Sequence, residues 1–157
     1  MKSQVIGYFF LFAALLACQS DKAYKIFYTF SDIRWERKEI VTLSQEINFQ
    51  DIKKAKLGIS LRHVSHIFLE KLPLEILIQE PNGKTTNLSV EMPLRDTQSK
   101  KLLGEAVGDI CDTDFLTDFS FDVKQSGKYT FTIKHNFREE KLGDVIKIGI
   151  FVKKLSE

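Results

Sequence analysis

Apolar and polar side chains alternate with a period of two along most of this chain, the signature of half-buried β-strands. Tyr24, Ile26, Tyr28 and Phe30 alternate with Lys25, Phe27 and Thr29 as a first strand. A turn over residues 31–35 leads to a second segment, Glu39 to Leu43, with a further piece through Ile47 and Phe49. Leu57, Ile59 and Leu61 face one way while Lys56, Gly58, Ser60 and Arg62 face the other. Leu74, Ile76 and Ile78 make the next strand, and Pro81-Asn82-Gly83 turns it into Leu88, Val90 and Met92. Asn-Gly signals a hairpin because both residues tolerate positive φ. Residues 93–118 read as irregular, with one helical turn around Ser99 to Leu103 and an acidic loop from Gly108 to Asp114. Order returns with Phe119, Phe121 and Val123; after the Ser126-Gly127 turn, Tyr129, Phe131 and Ile133 alternate with Lys128, Thr130, Thr132 and Lys134. A polar connection from Arg138 to Asp144 precedes a closing strand, Val145 to Lys153, with Ile146, Ile148, Ile150 and Val152 as its apolar positions.

Eight or nine such strands, with no long helical period among them, must bury their apolar faces sheet against sheet. The expected fold is all-β: an antiparallel β-sandwich of about eight strands, of jelly-roll or Greek-key type, forming one domain over residues 24–157. The chain has thirteen phenylalanines, and the alternation of several with polar residues suggests strands with one buried face.

The first twenty residues break this period. Met1-Lys2 is followed by an apolar run from Val5 to Leu16 that closes in Leu15-Leu16-Ala17-Cys18. A dozen apolar residues fall short of the roughly 20 that span a bilayer as a helix, and the run stops at a small residue before a cysteine. Residues 1–17 are read as a cleaved lipoprotein signal peptide, Cys18 as the lipidated residue carrying diacylglycerol and acyl chains, and residues 18–23 as the tether. No other cofactor is expected. Gln19 stands where an aspartate acts in some bacteria as an inner-membrane retention signal, so a lipid-anchored place in the cell envelope, at the outer membrane, is expected.

Charge changes the picture little. Cleavage removes Lys2 and no acid, so 23 basic side chains become 22 against 21 acidic. That balance argues against nucleic acid as the partner. With Cys18 acylated, Cys111 is the only thiol; it lies among acids in Gly108-Asp109-Ile110-Cys111-Asp112, a poor setting for a nucleophile, and reads as a small buried hydrophobe. No Gly-rich phosphate loop, nucleophile elbow, His-Glu-x-x-His or Cys-x-x-Cys is present. His63 and His66 would point to opposite faces of a strand, and His135 is expected at a sheet edge. Asp109, Asp112 and Asp114 have calcium-type donors without a calcium-loop spacing, so a solvated loop is expected and no metal site. Trp35 is expected in the core; the alternative, an exposed Trp35 with tyrosines on a concave face, would make a lipid-anchored glycan-binding module.

The order of features resembles the GldH family of gliding-motility lipoproteins. It is carried by the Cys18 lipobox, the lone Trp35 before a basic segment, Leu61-Arg62-His63, Pro73 to Ile78, Pro81-Asn82-Gly83, Leu103-Gly104-Glu105 and Gly108-Asp109-Ile110. It continues through residues 126–131, Phe137-Arg138, residues 142–145 and Ile148-Gly149-Ile150. The chain departs from the pattern at Val64-Ser65-His66-Ile67, where a tyrosine and an asparagine are expected, and at Asn136-Phe137, where a methionine precedes the arginine.

The resemblance implies a non-enzymatic accessory lipoprotein of the gliding apparatus and its associated protein secretion system, with no catalytic residues. Its partners would be other envelope proteins of that machinery and the membrane through the anchor, with no small-molecule substrate. Trp35, Arg62 and Arg138, on positions that carry the resemblance, are the candidate partner contacts. Because loops carry contacts on a strand scaffold, the candidate surfaces are the Ile33 to Lys38 turn, the Gly108 to Asp114 loop and the Arg138 to Asp144 connection. The competing expectation for Arg138 is a buried pair with a carboxylate of its own loop.

Overall fold

The computed structural model describes residues 22–155; the expected signal peptide, Cys18 and most of the tether lie outside the described residues. Among the described residues eleven strands follow one another: β1 (Lys22–Thr29), β2 (Arg34–Glu36), β3 (Val41–Ile47), β4 (Lys54–Val64), β5 (Lys71–Gln79), β6 (Thr85–Pro93), β7 (Glu105–Val107), β8 (Ile110–Asp122), β9 (Gly127–His135), β10 (Lys141–Gly143) and β11 (Val145–Lys154). The pairings are antiparallel. One sheet has the order β1-β11-β4-β8-β7, the facing sheet β3-β9-β5-β6, and β2 pairs with β10 as a separate ribbon. Eight strands are long. Counted alone in chain order, they form sheets 1-8-3-6 and 2-7-4-5, the strand order of a jelly roll.

The period of two decides which residues fill the space between the sheets. Leu57, Ile59 and Leu61 of β4 and Ile148, Ile150 and Val152 of β11 meet Leu74, Ile76 and Ile78 of β5 and Tyr129, Phe131 and Ile133 of β9; all are buried. Tyr129 keeps its hydroxyl satisfied by donating to the Gln125 carbonyl at 3.2 Å.

The stretch expected to be irregular is largely strand. β7 and β8 pair across a turn at Gly108-Asp109, so most of the expected acidic loop is the start of a thirteen-residue strand. Cys111, Thr113 and Phe115 point inward beside His63, Leu61 and Ile59, which sends Asp112 and Asp114 to the outer face. The expected helical turn is a tight turn instead. The Asp96 carboxylate accepts from the Ser99 amide at 2.7 Å, and Lys100 takes φ 57°. At the Pro81-Asn82-Gly83 hairpin only Gly83 has positive φ, 86°. β1 begins at Lys22, inside the expected tether.

The registers sort the connections between the two ends of the sandwich. Thr29 opposite Lys147, His63 opposite Val145, Val64 opposite Ile110, and Leu74 opposite His135 put the segments at 30–40, 65–70, 94–109 and 136–144 at one end. Lys22 opposite Lys153 puts the start of β1 at the other end, with the turns at 48–53, 80–84 and 123–126.

Candidate functional site

All three loop regions expected to carry contacts lie at the end away from Lys22, and two of them are joined. β2 and β10 pair with Trp35 opposite Leu142, and the Arg37 amide donates to the Glu140 carbonyl at 2.8 Å. The ribbon forms because its two centres are apolar: Trp35 and Leu142 are buried beneath it while neighbouring positions are polar. Trp35 is fully buried, the core position expected for it, and so is not the exposed tryptophan that a glycan platform of the expected kind needed. Its indole N–H donates to the Glu39 carbonyl at 2.8 Å, and its ring packs against Phe30 and edge-on against His135.

His135 is therefore not at a sheet edge. β9 runs between β3 and β5, and the imidazole is buried with neither ring nitrogen hydrogen-bonded. Burial pushes its pKa below the ordinary histidine value. His63 is buried too, but satisfied: Nδ1 is 2.9 Å from the Val64 carbonyl and Nε2 3.2 Å from Thr113 Oγ1, with burial again lowering its pKa. Cys111 is buried opposite His63 in the register, where its Sγ donates to the Leu103 carbonyl at 3.6 Å.

Arg62 lies on the outer face of β4 and binds Asp112 of β8 through two nitrogens, at 2.7 and 2.6 Å. The guanidinium holds the Asp112 carboxyl below the ordinary aspartate range. Lys25 of β1 reaches Asp114 at 3.1 Å, and Ser60 donates to the same carboxylate. These pairs rim a groove of about 490 Å³ on the outer face, with Phe27, Glu105 and Lys147 also lining it. Its floor depends on close approach: a Cβ on Gly104, at φ 107°, would lie 2.3 Å from the Asp112 carbonyl oxygen. The pattern Cys111-Thr113-Phe115 against Asp112-Asp114 was the available signal for these outer-face acids.

Arg138 is on the surface. Its side chain is 85% exposed and its nearest acidic contact, Glu139, is at 3.8 Å, so it is not the buried pair that was the competing expectation. Exposed apolar side chains share this end: Ile33, which takes φ 52°, Ile40, Phe68 and Val107, the last two 92% and 82% exposed. A β-branched residue at positive φ is strained. Among the described residues no group of three histidines, cysteines or acids could hold a metal.

The molecule is thus a jelly-roll domain with Arg138 and several exposed apolar side chains at one end and a charged groove on an outer face. It belongs to the GldH lipoprotein family, whose model matches residues 22–152. That family consists of gliding-motility lipoproteins of the cell envelope and is not a family of enzymes. No curated protein sequence matches the chain.

Among solved structures it is similar to a 4-O-methyl-α-glucuronidase of family GH115, BtGH115A, with 9% identity over 78% of this chain and 14% of that one and a TM-score of 0.40. The Gt strain of infectious bursal disease virus gives 16% identity over 97% and 36%, with a TM-score of 0.39. The Cry4Aa toxin of Bacillus thuringiensis gives 10% over 78% and 19%, also 0.39. The chain spans well under half of each of these proteins.

Proposed function

We propose that this protein is a non-enzymatic accessory lipoprotein of the gliding-motility apparatus and its associated secretion system, anchored through acylated Cys18 in the outer membrane. The family match over residues 22–152 carries the reading. The domain then works by contact, and its placement on the anchor matters. A tether entering at Lys22 leaves the 30–40, 65–70, 94–109 and 136–144 segments on the far end of the sandwich, one strand length from the lipid. An eight-residue strand rises about 27 Å, enough to present Arg138, Phe68 and Val107 clear of the headgroups to another envelope protein. Exposed apolar side chains rimmed by charge are the usual composition of such contacts.

A clean deletion, scored for colony spreading and for secretion of a surface adhesin, tests the role; loss of both is expected, and unchanged spreading and secretion would remove it. The anchor is tested separately by metabolic labelling with a palmitate analogue. Cys18→Ser should carry no label and accumulate as precursor, and label retained in that variant would sink the lipid assignment.

A further inference from the structure

The two sheets do not close equally along their edges. On β5 the inward Leu74, Ile76 and Ile78 are buried to 1–3% exposure, but on the neighbouring edge strand β6 the inward Leu88 and Val90 are only half-buried. The facing sheet repeats this: Ile59 of β4 is fully buried, while Phe115, its partner in the register on β8, is half-buried. An open cleft of about 300 Å³ lies between β6 and β8, lined by Leu88, Val90, Phe115 and Phe119 with the charged Glu91 and Asp118 beside them. These four side chains pack against the core and keep part of their apolar surface open at the seam.

The backbone along this seam is also unused. No described strand pairs with β6 on the side away from β5, and β7 covers β8 only from Ile110 to Asp112, leaving residues 113–122 with a strand partner on the β4 side alone, where 117–119 bulge opposite Leu57. Free strand edges template the pairing of another extended chain. Proteins usually block such edges with lysine, proline or a bulge; here β6 and the exposed half of β8 contain no lysine or arginine, the one proline, Pro93, ends β6, and the bulge at 117–119 leaves residues 113–116 of β8 regular. They carry acids instead, with Asp122 and Asp118, the latter exposed and in a long 3.8 Å pair with Lys56, on the outward side.

We propose that the β6–β8 seam is a β-augmentation site for an extended segment of a partner polypeptide, with apolar side chains alternating with basic ones. The backbone of the segment would pair with the free edge of β6 or β8. Its apolar side chains would fill the gap beside Leu88, Val90, Phe115 and Phe119, and its basic ones would meet the aspartates outside. This is the strand-addition mode of recognition, in which ladder bonds give affinity and alternate pockets give selectivity. It deepens the partner-binding reading above and rests on it for the existence of a partner; the deletion phenotype tests that reading, and the experiment below tests the seam.

The full chain in detergent is followed by hydrogen-exchange mass spectrometry with and without an acetylated ten-residue peptide alternating valine or threonine with lysine. The expected result is at least tenfold slower exchange along Thr85–Pro93 or residues 113–122. A peptide of the same charge with prolines at two alternate positions should give none of this protection. Asp118→Lys combined with Asp122→Lys should weaken the peptide at least tenfold at unchanged melting temperature. No protection, equal protection by the proline peptide, or protection confined to β1 and β3 would overturn the proposal. So would a stable dimer in sedimentation, without peptide, whose β6 or β8 is already protected, since the seam would then belong to a second copy of this chain.

Discussion

The imidazole of His135 meets the edge of the Trp35 indole at a centroid separation of 5.0 Å and an interplanar angle of 73°, in a site that offers neither ring nitrogen a hydrogen bond. Burial disfavours the charged imidazole here, and Arg37 adds a further repulsion. The native pKa is therefore lowered, and the unfolded chain takes up its proton first, near the ordinary value of about 6.5. The contribution to stability is fully present above about pH 6.5 and is lost as pH falls toward the lowered native value. His63 acts in the same direction through its own burial. His135→Phe, which removes the orphaned nitrogens and keeps a ring, should leave the denaturant midpoint at pH 7.5 equal or higher and flatten its decline between pH 7 and 5. An unchanged decline would place the pH sensitivity elsewhere.

Phe131 and Thr130 are neighbours with opposite fates. Phe131 is fully buried between the sheets, while Thr130 faces outward with its hydroxyl 3.2 Å from Ser44 Oγ. Phe131→Ala should cost about 3–5 kcal/mol by the usual range for buried phenylalanine, a large share of a domain's stability. Thr130→Ala should cost under about 1 kcal/mol. Equal midpoints in urea would contradict the burial of this strand face.

Gly104 and Gly83 both take positive φ, but only Gly104 also has a crowded Cβ position, with Asp112 oxygen at 2.3 Å against nothing within 4 Å at Gly83. Gly83→Ala should therefore cost only the left-handed penalty, about 1–2 kcal/mol. Gly104→Ala should cost clearly more, because the β8 backbone must move, and it should disturb the groove beside Asp112. Matched midpoints for the two variants would show that β8 yields freely there.

Arg138 separates a contact role from a structural one. Its exposure and its single long contact with Glu139 predict that Arg138→Ala keeps the melting temperature and envelope level of the parent. If the far end of the sandwich is the partner surface, the same variant should abolish colony spreading. An early-melting variant would instead make Arg138 a structural residue of the β9–β10 connection.

Period-two alternation alone determined the all-β class and the strands of the core, because a sheet with one buried face leaves no other pattern for Leu57-Ile59-Leu61 or Tyr129-Phe131-Ile133. Where the inward positions were not strongly apolar, the same rule was harder to read: Cys111, Thr113 and Thr117 hid the inward face of β8, although its alternation runs unbroken to Asp122. The chain also carried the composition of Trp35 and its basic neighbours, but not their placement. Trp35 is buried only because Leu142, more than a hundred residues on, folds back as its ribbon partner, and Asp112 and Asp114 become ion-pair acceptors only because β4 and β1 bring Arg62 and Lys25 to the same face. Local sequence sets which face of a strand a residue takes, whereas tertiary structure alone decides what lies opposite that face, since pairing partners are chosen by strands far apart in the chain.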